Sequence, residues 1–481
     1  MKEKRNVLFF LLAMVLLSQC RKETGPIIIP DNNFLDALIE LGIDKNGDGM
    51  IGPEEAEVIT SLDVSNKSIA DMTGIEAFVN LDNLICRFNQ LTSLNVSHNI
   101  ALTELACWDN QLTSLDISKN VALEYLDCGK NQLTSLDITN NTALKTLECY
   151  ENQLTSIDIS NNAALQLLGC GWNQLTSLDV SKNVVLDYLD CGKNQLTSLD
   201  ITYNSALRIL YCHENQLTSL DISNNRALIT LYCEENQLTN LEVPDGILLG
   251  GLYCRNNQLT SLDISNIEGL IILDCHGNQL STLDVANNAD IQGLVCSGNQ
   301  LSTLDVSNNI VLRGLNCGEN QLTSLDVSNN IVLRTLNCGQ NQLTSLDISN
   351  NTALVDLQCM DNQLTGLDVS HNAALQWLYC QMNQLTRLDI SNNAGLLYLM
   401  CDDNQLTNLE VSGNAALIDL SCGDNLLDSL DISNNIVLQS VSLSDMPSLK
   451  KVCVWEMPFP PSGVSIDTSN SPNIYFTVDC K

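Results

Sequence analysis

Aromatic side chains are scarce in this chain, at 4% of 481 residues, and basic ones are outnumbered, with 22 Lys and Arg against 57 Asp and Glu. The formal charge of −35 argues against nucleic acid as a partner, because gripping a phosphate backbone takes clustered Lys and Arg. Here those residues are scattered. Anionic membrane surfaces are disfavoured on the same ground, whereas solubility, cations and basic partner patches are favoured. Histidine is rarer still: His98, His213, His276 and His371 are the four, and none stands at a fixed spacing from a carboxylate or nucleophile. No catalytic residue is therefore assigned. The apolar run Val7–Leu17, behind Lys2, Lys4 and Arg5, is too short for a membrane-spanning helix and suits an export signal.

What is abundant is repetition. From Cys86 to Cys422 a cysteine recurs every 21 residues without one slip. Each unit reads L-x-x-L-x-C-x-x-N-Q-L-T-S-L-D-[IV]-S-x-N-x-x, as at Leu123, Leu126, Cys128, Asn131, Leu133, Leu136, Ile138 and Asn141. The pattern is nested, since Leu133-x-x-Leu136-x-Ile138-x-x-Asn141 restates the first half. Each half supplies a short alternating strand and a tight turn, and neither holds a helix-length apolar period. The Asn of each half belongs in a turn, where its amide satisfies backbone groups of neighbouring coils. One Asn column runs unbroken from Asn89 to Asn425. The other, Asn99 to Asn435, fails only at Gly246 and Ile267 beside Pro244, which predicts a local irregularity.

A phrase of the form L-x-x-L-x-C-x-x-N is the leucine-rich-repeat pattern, and the nested unit resembles the short bacterial class within the internalin-like surface group. The resemblance covers about residues 81–443. It implies a β-rich, right-handed leucine-rich-repeat solenoid of about 17–18 coils, with parallel β ladders and little helix. A small helical N-terminal cap and a β-type C-terminal cap are expected to close it. The domain plan is a lipoprotein signal peptide (1–19), a surface tether (20–32), an N-terminal cap with a degenerate first repeat (33–80), the solenoid (81–443) and a C-terminal cap (444–481). Leu17-Ser18-Gln19-Cys20 resembles a lipobox. That implies lipidation of Cys20 and a place on the bacterial outer membrane or cell surface.

The cysteine column fits a small buried hydrophobe at the third apolar position, since single-file thiols make no tetrahedral cage. Cys453 and Cys480 fall outside the register, and an exported chain makes a disulfide between them the expectation. On the first strand the residues around Leu and Cys vary from coil to coil. There Tyr211, Tyr232 and Tyr253 stand in consecutive coils, with His213 and Arg255 beside them, and Trp377 and Tyr379 return later. These seven are the candidate ligand-binding residues, with cross-strand stacking as the competing account. The second half instead carries an almost constant acid column, Asp116 to Asp431, each acid suited to capping its own turn.

The sharpest local motif precedes the repeats. Asp44, Asn46, Asp48, Gly49 and Glu55 match the calcium loop D-x-[DN]-x-[DN]-G-x5-E over residues 44–55. Three oxygen side chains, the Met50 carbonyl and a bidentate Glu55 would then hold calcium. Phe34–Leu41 reads as the entering helix and Glu54–Thr60 as the leaving one. The functional expectation is a non-enzymatic surface scaffold that binds protein or glycan on its variable strand face. The alternative is a calcium-stabilised spacer without a dedicated ligand.

Overall fold

The computed structural model describes residues 25–480, so Cys20 and the signal segment lie outside the described residues. Two compact units divide at Gln174 and Leu175. In the first, three-residue strands from Ser61–Asp63 to Leu167–Gly169 pair in parallel with each neighbour along the chain. Their leucines share one register, with Leu62, Leu84, Leu105, Leu126, Leu147 and Leu168 as successive partners. The second unit repeats the arrangement from Tyr188–Asp190 through Ser440–Ser442 to Ser465–Asp467. Coil strands of this kind number about 20 against the expected 17–18, because Ser61–Asp63 before the expected solenoid and the cap strand Ser465–Asp467, next to Ser440–Ser442, continue the pattern. The degenerate residues there still place an apolar side chain (Leu62, Val441, Ile466) at the inward position.

The core is a stack of identical layers. Leu123, Leu126, Cys128, Leu133 and Ile138 are all 0% exposed, and Leu136 is 8% exposed. Among the described residues, every cysteine of the column is buried. Burial pushes the Cys86 thiol up to about 12 and the Cys107 thiol well above its ordinary value, so these sulfurs act as apolar filling rather than as nucleophiles.

The turn after each cysteine is strained and then held. Lys130 (φ 47°) and Glu151 (φ 49°) sit in the left-handed region, which disfavours non-glycine residues. Asn131 compensates: its Nδ2 donates to the carbonyls of Cys107 (3.1 Å), Cys128 (3.1 Å) and Gly129 (3.0 Å). Its Oδ1 accepts from the Leu112 N–H at 2.9 Å. In the second Asn column, Asn141 Nδ2 donates to Ile117 O (3.1 Å) and Asn120 O (2.8 Å), while its buried Oδ1 finds no donor.

Two expectations change here. The second half of each coil was expected to form its own ladder. Instead it shows isolated bridges, Asn95 to Asp116 and Asp368 to Asp389, and a three-stranded parallel ladder of Ser429–Asp431, Lys451–Cys453 and Tyr475–Thr477. The acid turn is not what prevents pairing, because Asp431 bonds the Ser433 N–H at 2.9 Å inside that ladder. Elsewhere the segment is held by its buried Leu and Ile and by the Asn amides. The irregularity at Gly246 (φ 73°) stays in the turn: Ile267 fills the Asn position at 1% exposure, and Gly251–Tyr253 keeps register on both sides.

The N-terminal cap opens with a helix over Asn32–Glu40, which buries Phe34, Ala37 and Leu38 and leaves Leu41 exposed. Asp31 caps it by accepting from Phe34 N–H (3.0 Å), while its other oxygen takes the N–H groups of Ala70 (2.7 Å) and Asp71 (3.0 Å). One carboxylate thus fastens the helix to the degenerate repeat. The leaving helix is a single turn, Pro53–Ala56, rather than Glu54–Thr60. The end of the expected tether is docked, since Ile27 N–H meets Ile51 O at 2.9 Å. Among the described residues, no helix is long and apolar enough to cross a membrane.

Candidate functional site

Alternation on the first strand turns the residues flanking Leu and Cys away from the core, and three features of that face concern function. The first is the tyrosine row. Tyr232 lies between Tyr211 and Tyr253 with ring centroids 4.3 and 4.4 Å away and planes within 7° and 6°. Tyr188 continues the row at 5.7 Å, tilted by 48°. The rings are half-buried rather than freely exposed, because strand spacing of about 4.8 Å lets each cover its neighbour. Burial, then the adjoining Tyr232 hydroxyl, pushes the Tyr253 phenol up to about 12. What the row offers a partner is therefore ring edges and hydroxyls.

A charged file runs beside the row. Glu234 is 9% exposed, and burial raises its carboxyl above the usual range, opposed by the charges of His213 and Arg255. Glu234 Oε2, His213 Nδ1 and Arg255 Nε are each buried without a hydrogen-bond partner. Such groups cost about 1–3 kcal/mol each when left unmade, so they mark a place where bonds remain to be formed. Arg255 reaches only the exposed Glu235, at 3.7 Å, and His276 pairs with Asp274 at 2.9 Å.

The second feature is the Trp377 pair. Trp377 stacks on Tyr398 at 6.3 Å and 11°, with Tyr379 two residues along the same strand. Six coils separate Tyr379 from Tyr253, about 29 Å at strand spacing. The seven candidate residues therefore form two clusters and not one site. The third feature was missed by sequence reasoning. A trough of about 430 Å³ opens between the clusters, lined by Gly293, Gly314, Asn316, Asn337, Asp356 and Gln358. Its sequence signal was the pair of glycines one coil apart, where side chains withdraw from the face.

The acid column behaves as local capping. Asp137 Oδ1 accepts from the Thr139 hydroxyl (2.7 Å) and N–H (3.0 Å), and these bonds hold its carboxyl below the usual range. Asp116, Asp158, Asp179 and Asp200 repeat the backbone contact. These local bonds offset part of the repulsion between neighbouring carboxylates, coil by coil.

In the loop over residues 44–55, oxygen atoms converge on backbone donors. Asp44 accepts from Gly47 (2.7 Å) and Gly49 (2.9 Å), Asn46 from Asp48 (2.8 Å), and Asp48 from Met50 (2.9 Å). Glu55 crosses the loop to Lys45 N–H (2.7 Å), Asn46 N–H (3.3 Å) and Gly52 N–H (2.8 Å). The Gly52 bond is the main cause of its lowered pKa. Gly47 (φ 72°) and Gly49 (φ 79°) make the turns. The donor set is hard oxygen throughout and suits calcium chemically.

At the other end, Cys453 is buried and Cys480 exposed, both as free thiols. Their sulfurs and an Asp431 oxygen all lie within 4.8 Å of one another.

No protein-family profile matches the chain. Over 70 residues, 15% of this chain and 8% of the relative, it is 41% identical to internalin J of Listeria monocytogenes serotype 4b (strain F2365). The matched stretch is thus a small part of that protein. The solved functional domain of InlJ from Listeria monocytogenes, which includes a cysteine ladder, is similar over 86% of this chain and 80% of that one, at 33% identity and TM-score 0.53. YopM from Yersinia enterocolitica WA-314 aligns over 98% and 99% of the two chains at 20% identity and TM-score 0.66, a likeness of fold alone.

Proposed function

Because the chain belongs to the internalin-like leucine-rich-repeat family, we propose that it is a non-enzymatic interaction scaffold of the bacterial cell surface. It captures a protein partner on the variable strand face, centred on Tyr211, Tyr232, Tyr253, His213 and Arg255. The observation that carries this reading is the file beside the tyrosines, where Glu234, His213 and Arg255 keep buried polar atoms unbonded. An interface that supplied those bonds would gain more there than at the self-satisfied acid column, and Tyr and Arg are the residue types that dominate binding energy. Trp377 and Tyr379 form a second contact for an extended partner. A glycan partner uses the same face and is the competing ligand class.

The test is an array of surface and host proteins and glycans probed with the lipid-free chain. Changing Tyr211, Tyr232 and Tyr253 together to Ser should abolish capture of the ligand so found while the fold is retained. Capture unchanged by the triple change would overturn the assignment of this face. Anchoring through a lipid on Cys20, at the outer membrane, belongs to the same proposal and is checked by mass spectrometry of the membrane-derived N-terminus.

A second reading, a calcium-stabilised spacer, rests on the all-oxygen side chains and the motif spacing of residues 44–55. Asp44, Asn46, Asp48, the Met50 carbonyl and Glu55 would hold the ion. Its check is the melting midpoint with calcium and with chelator: a rise with calcium that disappears in Glu55→Gln supports it, and an unchanged midpoint removes it.

A further inference from the structure

We propose that Asp431, Cys453 and Cys480 form a binding site for a soft divalent cation of the zinc class, which staples the three strands of the C-terminal ladder together. The register builds the site. Asp431 and Cys453 are direct partners on adjacent parallel strands, and Cys453 is in turn the partner of Thr477. Between Lys451 and Cys453, Val452 points inward at 0% exposure. Asp431 and Cys453 therefore share the opposite face, about 4.8 Å apart along the ladder. The chain beyond Thr477 turns back over this column, with Cys480 Sγ 3.9 Å from Thr477 O. Each strand, or the segment that directly follows it, thus contributes one ligand.

The dimensions and the chemistry agree. All three donor atoms lie within 4.8 Å of one another. A tetrahedral zinc with Zn–S of about 2.3 Å and Zn–O of about 2.1 Å separates its ligand atoms by roughly 3.5–3.8 Å, inside that limit. The Asp431 carboxylate is already oriented, because Oδ1 accepts the Ser433 N–H at 2.9 Å, the kind of outer support that metal-ligating carboxylates use. Two thiols become thiolates, Zn²⁺ takes the place of their two protons, and those protons leave to solvent. The exposed side of Cys480 leaves a fourth position for water. The seventeen-rung column offers nothing similar, since its sulfurs are sealed at 0% exposure between leucines.

The experiment uses the full chain, reduced and stripped with chelator. Cobalt titration should produce one thiolate-to-cobalt charge-transfer band per chain, displaced by zinc, and elemental analysis should give one zinc per chain. Cys480→Ser should abolish the band while far-UV circular dichroism stays unchanged, and Asp431→Asn should weaken zinc at least tenfold. A band that survives in Cys480→Ser overturns the proposal. So does a chain isolated without reductant whose Cys453 and Cys480 resist alkylation in denaturant and appear as a linked peptide, which would make the pair a disulfide. Neither outcome bears on partner capture by the strand face.

Discussion

The two halves of each 21-residue coil descend from one nested phrase, yet they are built differently. In the cysteine half, backbone donors are used from coil to coil, and Asn131 has all its polar atoms engaged. In the acid half, Asn141 leaves Oδ1 unmade and the Asp bonds only its own turn. The half with the stronger framework is the one whose outward residues vary freely. Register there is set by hydrogen bonds and buried apolar side chains, so the outer surface is released for recognition. In the acid half the outward residue is itself the turn cap, and it cannot vary without loss.

Removing an amide from each half would separate them most sharply. Asn131→Leu orphans one N–H and three carbonyls and should destabilise by at least about 3 kcal/mol, whereas Asn141→Leu should cost about 2. Urea midpoints measure the gap, and equal losses would erase the distinction. Next comes the sulfur. Cys233→Ala removes a fully buried atom from a layer and should cost about 1 kcal/mol, with no effect of reductant on the column's contribution to melting.

Protonation sharpens the contrast by sign. Asp137 titrates below the ordinary range of about 4, so its stabilisation is present above that range and is lost as pH falls through it. Asp127, on the strand face, is raised to about 6 by burial, with the Gly129 N–H opposing. Its ionisation therefore weakens the fold increasingly between about pH 4 and 6. Asp127→Asn should raise the urea midpoint at pH 7 and leave it unchanged at pH 3.5. The smallest effect belongs to Thr139→Val, which removes only the hydroxyl bond to Asp137. It should shift stability by less than about 0.5 kcal/mol.

The repeat, its register and the burial of cysteine were legible because a 21-residue period constrains every position at once. The turn chemistry of residues 44–55 was legible at smaller scale, because the spacing of Asp44, Asn46 and Asp48 places each side chain over the N–H groups that follow it. What escaped was whatever depends on neighbouring coils. Tyr150 covers Gly129 closely enough that a Cβ there would sit 2.6 Å from the ring, so the outward position 129 is buried. The trough at Gly293 and Gly314 exists only because small residues coincide on adjacent strands. The Asp431–Cys453 pairing follows from the register of the cap, which no periodicity in the final segment announces.

Hydrogen exchange on the full chain, free and bound to the ligand found by the array, tests the central claim most directly. The account predicts added protection in the strands and following turns from Tyr188 to Arg255, with the Asp-bearing segments around Asp200 and Asp221 unchanged. Protection confined to those acid segments would contradict it.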